Sequence, residues 1–148
     1  MRAMTLLAAL VFGEPALPPM PAEPPRSLRP TCEVRAEKTA AVLLDLKLPN
    51  GWRLHPAQKF VYRIAQTTGV VKLDPSTRKG YLDKPKFPIK VPFTPPAGPC
   101  EVLLQVAFYY CPKEDLLGCK AFSRYYLLPI TGTAASKNGK IALRVEPD

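Results

Sequence analysis

Histidine is nearly absent from this chain: His55 is the only one among 148 residues. No C-x-x-C occurs either, so one histidine and four cysteines offer no zinc-type spacing. No metal and no organic cofactor is expected. There is no G-x-S-x-G or other nucleophile motif, which leaves a hydrolase without support. No run of five basic residues and no internal repeat is present. The net charge of +9 is scattered along the chain and reads as a solvated basic surface rather than a nucleic-acid site. Glycine is scarce, at 8 residues, against 19 prolines. Prolines break nearly every stretch long enough for a helix, yet strand starts, strand edges and turns tolerate them.

What is present fits one folded unit. Apolar residues make up 47% and charged residues 22%, and the length is enough for one real core but not comfortably for two. Residues 1–13, MRAMTLLAALVFG, have the shape of a short secretory signal: one arginine before a brief apolar run. The run is too short to span a bilayer. The alternative is an apolar tail with no address. Residues 14–30 hold 7 prolines in 17 positions and read as an extended linker. The folded domain is expected over 31–148.

Within it, the dominant period is two. Val42, Leu44, Leu46 and Leu48 share one face of a strand, as do Phe60, Tyr62 and Ile64 of the next. Residues 70–73 read as a short strand and 74–85 as a loop. Phe87, Ile89, Val91 and Phe93 alternate with Pro88 and Pro92, which marks an edge strand. The clearest strand is 101–110, with Val102, Leu104, Val106, Phe108 and Tyr110 inward. Its natural partner is 122–130, with Phe122, Tyr126, Leu128 and Ile130 inward. Asn138-Gly139 is a hairpin-turn signal before a last strand at 141–145. Trp52, the only tryptophan, is expected in the core. Short strands at this spacing, with no convincing helix, predict an all-β, immunoglobulin-like antiparallel β-sandwich.

Cys111 and Cys119 fall at the facing ends of two adjacent strands, with seven residues between them. If the hairpin closes symmetrically they oppose each other with Cα atoms about 4.5 Å apart, where a bridge is geometrically easy. Such a bond has two readings. It is a staple contributing about 2.6 kcal/mol on the chain-entropy model, or it is a redox dyad that must be open to attack. Lys113 and Lys120 flank the pair and favour a thiolate, while Glu114 and Asp115 oppose it. Cys32 and Cys100 lie just outside their strands, either paired as a second staple or free.

The succession from residue 41 to 130 resembles the N-terminal domain of the DsbD family of thiol:disulfide interchange proteins. The matching pieces are Leu48-Pro49-Asn50-Gly51-Trp52-Arg53-Leu54-His55, Phe60–Leu73, Phe87-Pro88-Ile89-Lys90-Val91-Pro92, Val102–Tyr110, and Cys111 with Cys119. Val106 to Cys111, through Cys119, is also similar to the C-terminal β domain of thioredoxin-like proteins with NHL repeats. The DsbD resemblance implies an immunoglobulin-like domain in the periplasm, a component of a thiol:disulfide oxidoreductase system. It implies Cys111 and Cys119 as the catalytic dyad, with Cys119 forming the mixed disulfide. Thioredoxin-like or other thiol–disulfide proteins would be the partners. His55 and Tyr109 are near-site candidates, and so is Tyr81, because the stretch matching the family's cap loop, Ser76 to Gly80, carries no aromatic. The cysteine spacing is longer than in that domain. The rival reading is a non-catalytic, disulfide-stapled interaction module, with the lysine-rich edge at 84–93 as its contact surface.

Overall fold

The computed structural model describes residues 26–147. The signal-like segment 1–13 and residues 14–25 of the expected linker lie outside the described residues. Among those described there is no helix and none long and apolar enough to cross a membrane. The strands are β1 (Arg26–Leu28), β2 (Cys32–Arg35), β3 (Ala40–Leu46), β4 (Trp52–Leu54), β5 (Phe60–Thr68), β6 (Lys79–Leu82), β7 (Ile89–Phe93), β8 (Gly98–Pro112), β9 (Lys120–Thr133) and β10 (Lys140–Val145). They form two sheets. The larger runs β1-β9-β8-β5-β6, with β2 also on β9 and β4 also on β8; the smaller runs β10-β3-β7.

The period-two residues become the core between the sheets. Val102, Leu104, Val106 and Phe108 of β8 and Tyr126, Leu128 and Ile130 of β9 pack against Val42, Leu44, Val91, Phe93, Ile141, Leu143 and Val145. Burying such side chains supplies the main drive to fold, roughly 1.5–3 kcal/mol for each large one. β8 is buried on its other face too, at Leu103, Gln105 and Ala107. There Arg63 of β5 donates from Nε to Oε1 of Gln105, which satisfies the buried amide oxygen. The edge position foreseen from Pro88 and Pro92 is occupied by β7, which among the described residues pairs only with β3.

Four expectations change. First, the sandwich is not purely antiparallel, because β1 and β2 run parallel to β9, and β10 runs parallel to β3. Second, Asn138-Gly139 closes no hairpin. The chain leaves β9, crosses to the other sheet and enters β10. Asn138 serves that crossing: its side chain accepts the Lys140 N–H (3.1 Å) and donates to the Glu33 carbonyl (3.1 Å). Third, residues 70–73 form no strand, only a bridge from Lys72 to Thr94, while the expected loop 74–85 contains β6. Gly80 permits this, since a Cβ there would stand 2.4 Å from the Tyr62 ring. Fourth, Arg26–Leu28, assigned by sequence to the linker, is strand β1.

β4 and β5 share one strand position. Both pair antiparallel with β8, β4 over residues 110–112 and β5 over 101–107. Between them the chain bulges out through residues 55–59. This interruption shapes the site.

Candidate functional site

Cys111 and Cys119 form a disulfide, with Cα atoms 4.1 Å apart. The pairing follows from the β8–β9 register, whose last pair is Tyr110 with Lys120. One step further towards the loop, the cysteines stand face to face. The two ends differ. Cys111 is wholly buried, at 0% exposure, whereas Cys119 is partly exposed. Inward from the bond, Tyr110 packs on Trp52 (ring centroids 5.1 Å) and Phe108, and Phe108 touches Phe60 and Phe122. This aromatic cluster packs the base of the hairpin.

Trp52 packs against the core from β4, half-buried, as its hydrophobicity predicts. Arg53 stands in register with Cys111 across the β4–β8 pair. The strand alternation then carries His55 to the Cys111 side of the sheet. Its backbone N–H donates to the Tyr109 carbonyl (2.9 Å). One ring nitrogen and both sulfurs lie within 4.8 Å of one another. His55 is partly exposed and stands both at the turn before Pro56 and beside the two sulfurs.

The ring is fixed by the bulge. Nδ1 of His55 accepts the backbone N–H of Ala57 (3.0 Å) and of Gln58 (3.2 Å). A neutral ring whose Nδ1 accepts carries its proton on Nε2. Metal-binding histidines have the opposite arrangement, donating from the second nitrogen to an acceptor. The His55–Cys111–Cys119 group thus has the donor types of a metal site but not the tautomer of one, and its sulfurs are bonded to each other.

The other near-site candidates divide. Tyr109 lines a hollow of about 200 Å³ together with Leu54, His55, Phe60, Pro85 and Phe108; His55 joins it to the disulfide, which does not line it. That hollow is the gap left by the bulge. Tyr81 is not at the site. It pairs with Val61, which pairs with Ala107, so it lies two strand spacings and four residues along β8 from Cys111. That is roughly 10 Å sideways and 13 Å lengthwise. Lys120, expected to favour a thiolate, lies over the Trp52 ring (5.2 Å). Asp115 is engaged within the loop, accepting the Leu117 N–H (2.8 Å).

Cys32 and Cys100 are not bridged. Both thiols are free, and strand β9 runs between them. Burial, with a smaller contribution from the Glu101 charge, pushes the Cys100 thiol above its ordinary value.

Sequence reasoning missed two contributors. The Leu116 carbonyl oxygen lies 2.9 Å from Cys119 Sγ. No side-chain pattern reports a backbone group. Leu116 and Leu117 are exposed on the disulfide-closed loop, Leu117 at 96%. Two adjacent leucines in a loop between polar residues were the available signal.

No family model matches the chain, and a search of curated proteins finds no match to its sequence.

Proposed function

We propose that this domain exchanges thiols and disulfides through Cys111 and Cys119, passing electrons to or from thioredoxin-like or other thiol–disulfide proteins. The observation that carries the reading is the asymmetry of the bond: a buried Cys111 joined to a partly exposed Cys119, with an imidazole beside both sulfurs. An exchange site needs one sulfur open to attack and a leaving sulfur whose charge is accommodated. The DsbD-like order of strands and cysteines points the same way.

In this scheme a partner thiolate attacks Cys119 Sγ, and a mixed disulfide forms there. The exposed Leu116 and Leu117 flank that sulfur and offer the partner an apolar contact. A second thiol of the partner then releases the reduced domain. The bond would persist in an oxidising compartment, which fits export to the periplasm under the signal-like residues 1–13.

The alternative is a stapled interaction module, favoured by the full burial of Cys111. The reduction potential separates the two. Equilibration in glutathione or dithiothreitol buffers, with alkylation mapped by mass spectrometry, should give a value between about −120 and −270 mV. A value below about −300 mV marks a staple and ends the exchange reading.

A further inference from the structure

We infer that His55 is the hydrogen-bond donor that stabilises the Cys111 thiolate released when Cys119 is attacked. The inference deepens the exchange reading and takes its biological meaning from it. Its chemistry belongs to the bond itself.

Of the two cysteines, Cys119 is the partly exposed one, and it is the end of the bond open to attack in this proposal. An incoming thiolate, from a protein or a small thiol, forms a new S–S bond to Cys119 Sγ. The Cys111–Cys119 bond breaks, and Cys111 leaves with the electron pair and the negative charge. The thiolate donor is the reductant, and no proton moves in this step. The charge now sits on a residue with no solvent exposure. A charge in such a place is costly unless a donor faces it.

His55 supplies that donor. Its Nδ1 accepts the backbone N–H groups of Ala57 and Gln58, which leaves Nε2–H as the ring's free donor, and the ring has a nitrogen within 4.8 Å of both sulfurs. The His55–Tyr109 backbone bond holds its Cα against β8, and the two N–H groups on Nδ1 orient the ring. On the other side the Leu116 carbonyl presents the negative end of its dipole to Cys119 Sγ at 2.9 Å. A thiolate is disfavoured there and favoured at Cys111. Access and electrostatics therefore name the same pair of roles: Cys119 is attacked and Cys111 leaves. A stabilised leaving thiolate speeds the exchange step.

Two substitutions separate this role from a structural one. His55→Asn keeps a side-chain oxygen that can accept the Ala57 and Gln58 N–H groups as an Asx-type turn, but it has nothing at the position of Nε2. His55→Gln extends an N–H group towards that position and gives up the turn acceptor. The oxidised full chain is reduced with glutathione at fixed pH, and the second-order rate is followed by quenching and mass spectrometry.

His55→Asn should slow reduction about ten-fold or more, the scale of one lost hydrogen bond to a charged group. His55→Gln should stay within about three-fold of the native rate. A native rate in His55→Asn overturns the assignment, and so does equal slowing in both variants, which would make His55 a part of the turn only. A second measurement needs no variant. In nitrogen-15 spectra of the native chain, the His55 Nε2–H signal should move downfield on reduction as it meets the thiolate, and an unmoved signal overturns the proposal. A staple-like reduction potential would end the exchange reading while leaving these outcomes intact, because glutathione reads the leaving sulfur in either case.

Discussion

Cys32 and Cys100 stand in register with the same residue, Ile130, from opposite sides of β9. Two strand spacings separate them, about 9.5 Å, beyond the roughly 7 Å that a disulfide tolerates. Their thiols stay free for a topological reason: the parallel strand β2 docks on the far side of β9 from β8. The native oxidised chain should therefore titrate two thiols. Cys32, partly exposed, should alkylate first, and Cys100, at 4% exposure with its thiol held protonated by burial, only on unfolding. Peptide mapping after brief iodoacetamide treatment checks this, and a peptide cross-linking Cys32 to Cys100 would contradict the register.

The Cys111–Cys119 bond should be worth about 2–3 kcal/mol to the fold, whichever role it has, on the entropy of closing so short a loop. Urea unfolding with and without dithiothreitol measures it. Cys111→Ser should cost more than Cys119→Ser, because a hydroxyl at the fully buried position lacks water and a ready partner. Equal losses would mean that Cys111 is less enclosed than its 0% exposure implies.

Alkaline stability should report Cys100. Burial raises its thiol in the folded chain, so above the ordinary thiol range the unfolded chain loses a proton that the native chain keeps. The unfolded state then binds fewer protons, and stability falls with rising pH. The stabilising effect of keeping the thiol neutral is fully present below that range. Tyr62, raised by burial, acts in the same direction at higher pH. Cys100→Ala should be less stable than the native chain at pH 7, and the gap should narrow towards pH 10. A constant gap in urea midpoints would rule out Cys100 as the source.

Two glycines make a paired test of the backbone. A Cβ on Gly132 would lie 2.0 Å from the Pro96 carbonyl oxygen, a backbone atom with little room to yield, whereas one on Gly139 would meet nothing within 4 Å. Gly132→Ala should cost about 2 kcal/mol or more, the scale of overpacking. Gly139→Ala should stay within about 0.5 kcal/mol of the native stability. Thermal unfolding of the two variants side by side decides it.

Much of the site was legible because its geometry is local. Cys111 and Cys119 are eight residues apart, and the alternation of Val102 to Tyr110 and of Phe122 to Ile130 already names both strands and their inward faces. The bridge follows from that register. His55 was readable only as a candidate. Its strand, β4, has three residues, too few for a period to show, and its partner β8 is more than fifty positions away. Tyr81 failed for the complementary reason. A match of loop order placed it near the dyad, but β6 lies on the far side of β5 from β8, and Tyr81 stands level with Ala107 rather than Cys111. The Asn138-Gly139 signal was a true turn former used for a crossing between sheets.

Period-two alternation, proline placement and the short cysteine loop determined, by themselves, an all-β chain, the residues of its core, the edge position of β7 and the hairpin that closes on Cys111 and Cys119. These depend on neighbours in sequence, and a strand's faces are set by its own pleat. Tertiary structure alone decided which strands lie side by side. It ran β1, β2 and β10 parallel to their partners, set Ile130 between two thiols, and laid β4 and β5 end to end along β8. Alternation tells a strand which face to bury but not which distant strand will bury it. The bulge between β4 and β5, and with it the imidazole beside the disulfide, exists only once the sheet has assembled.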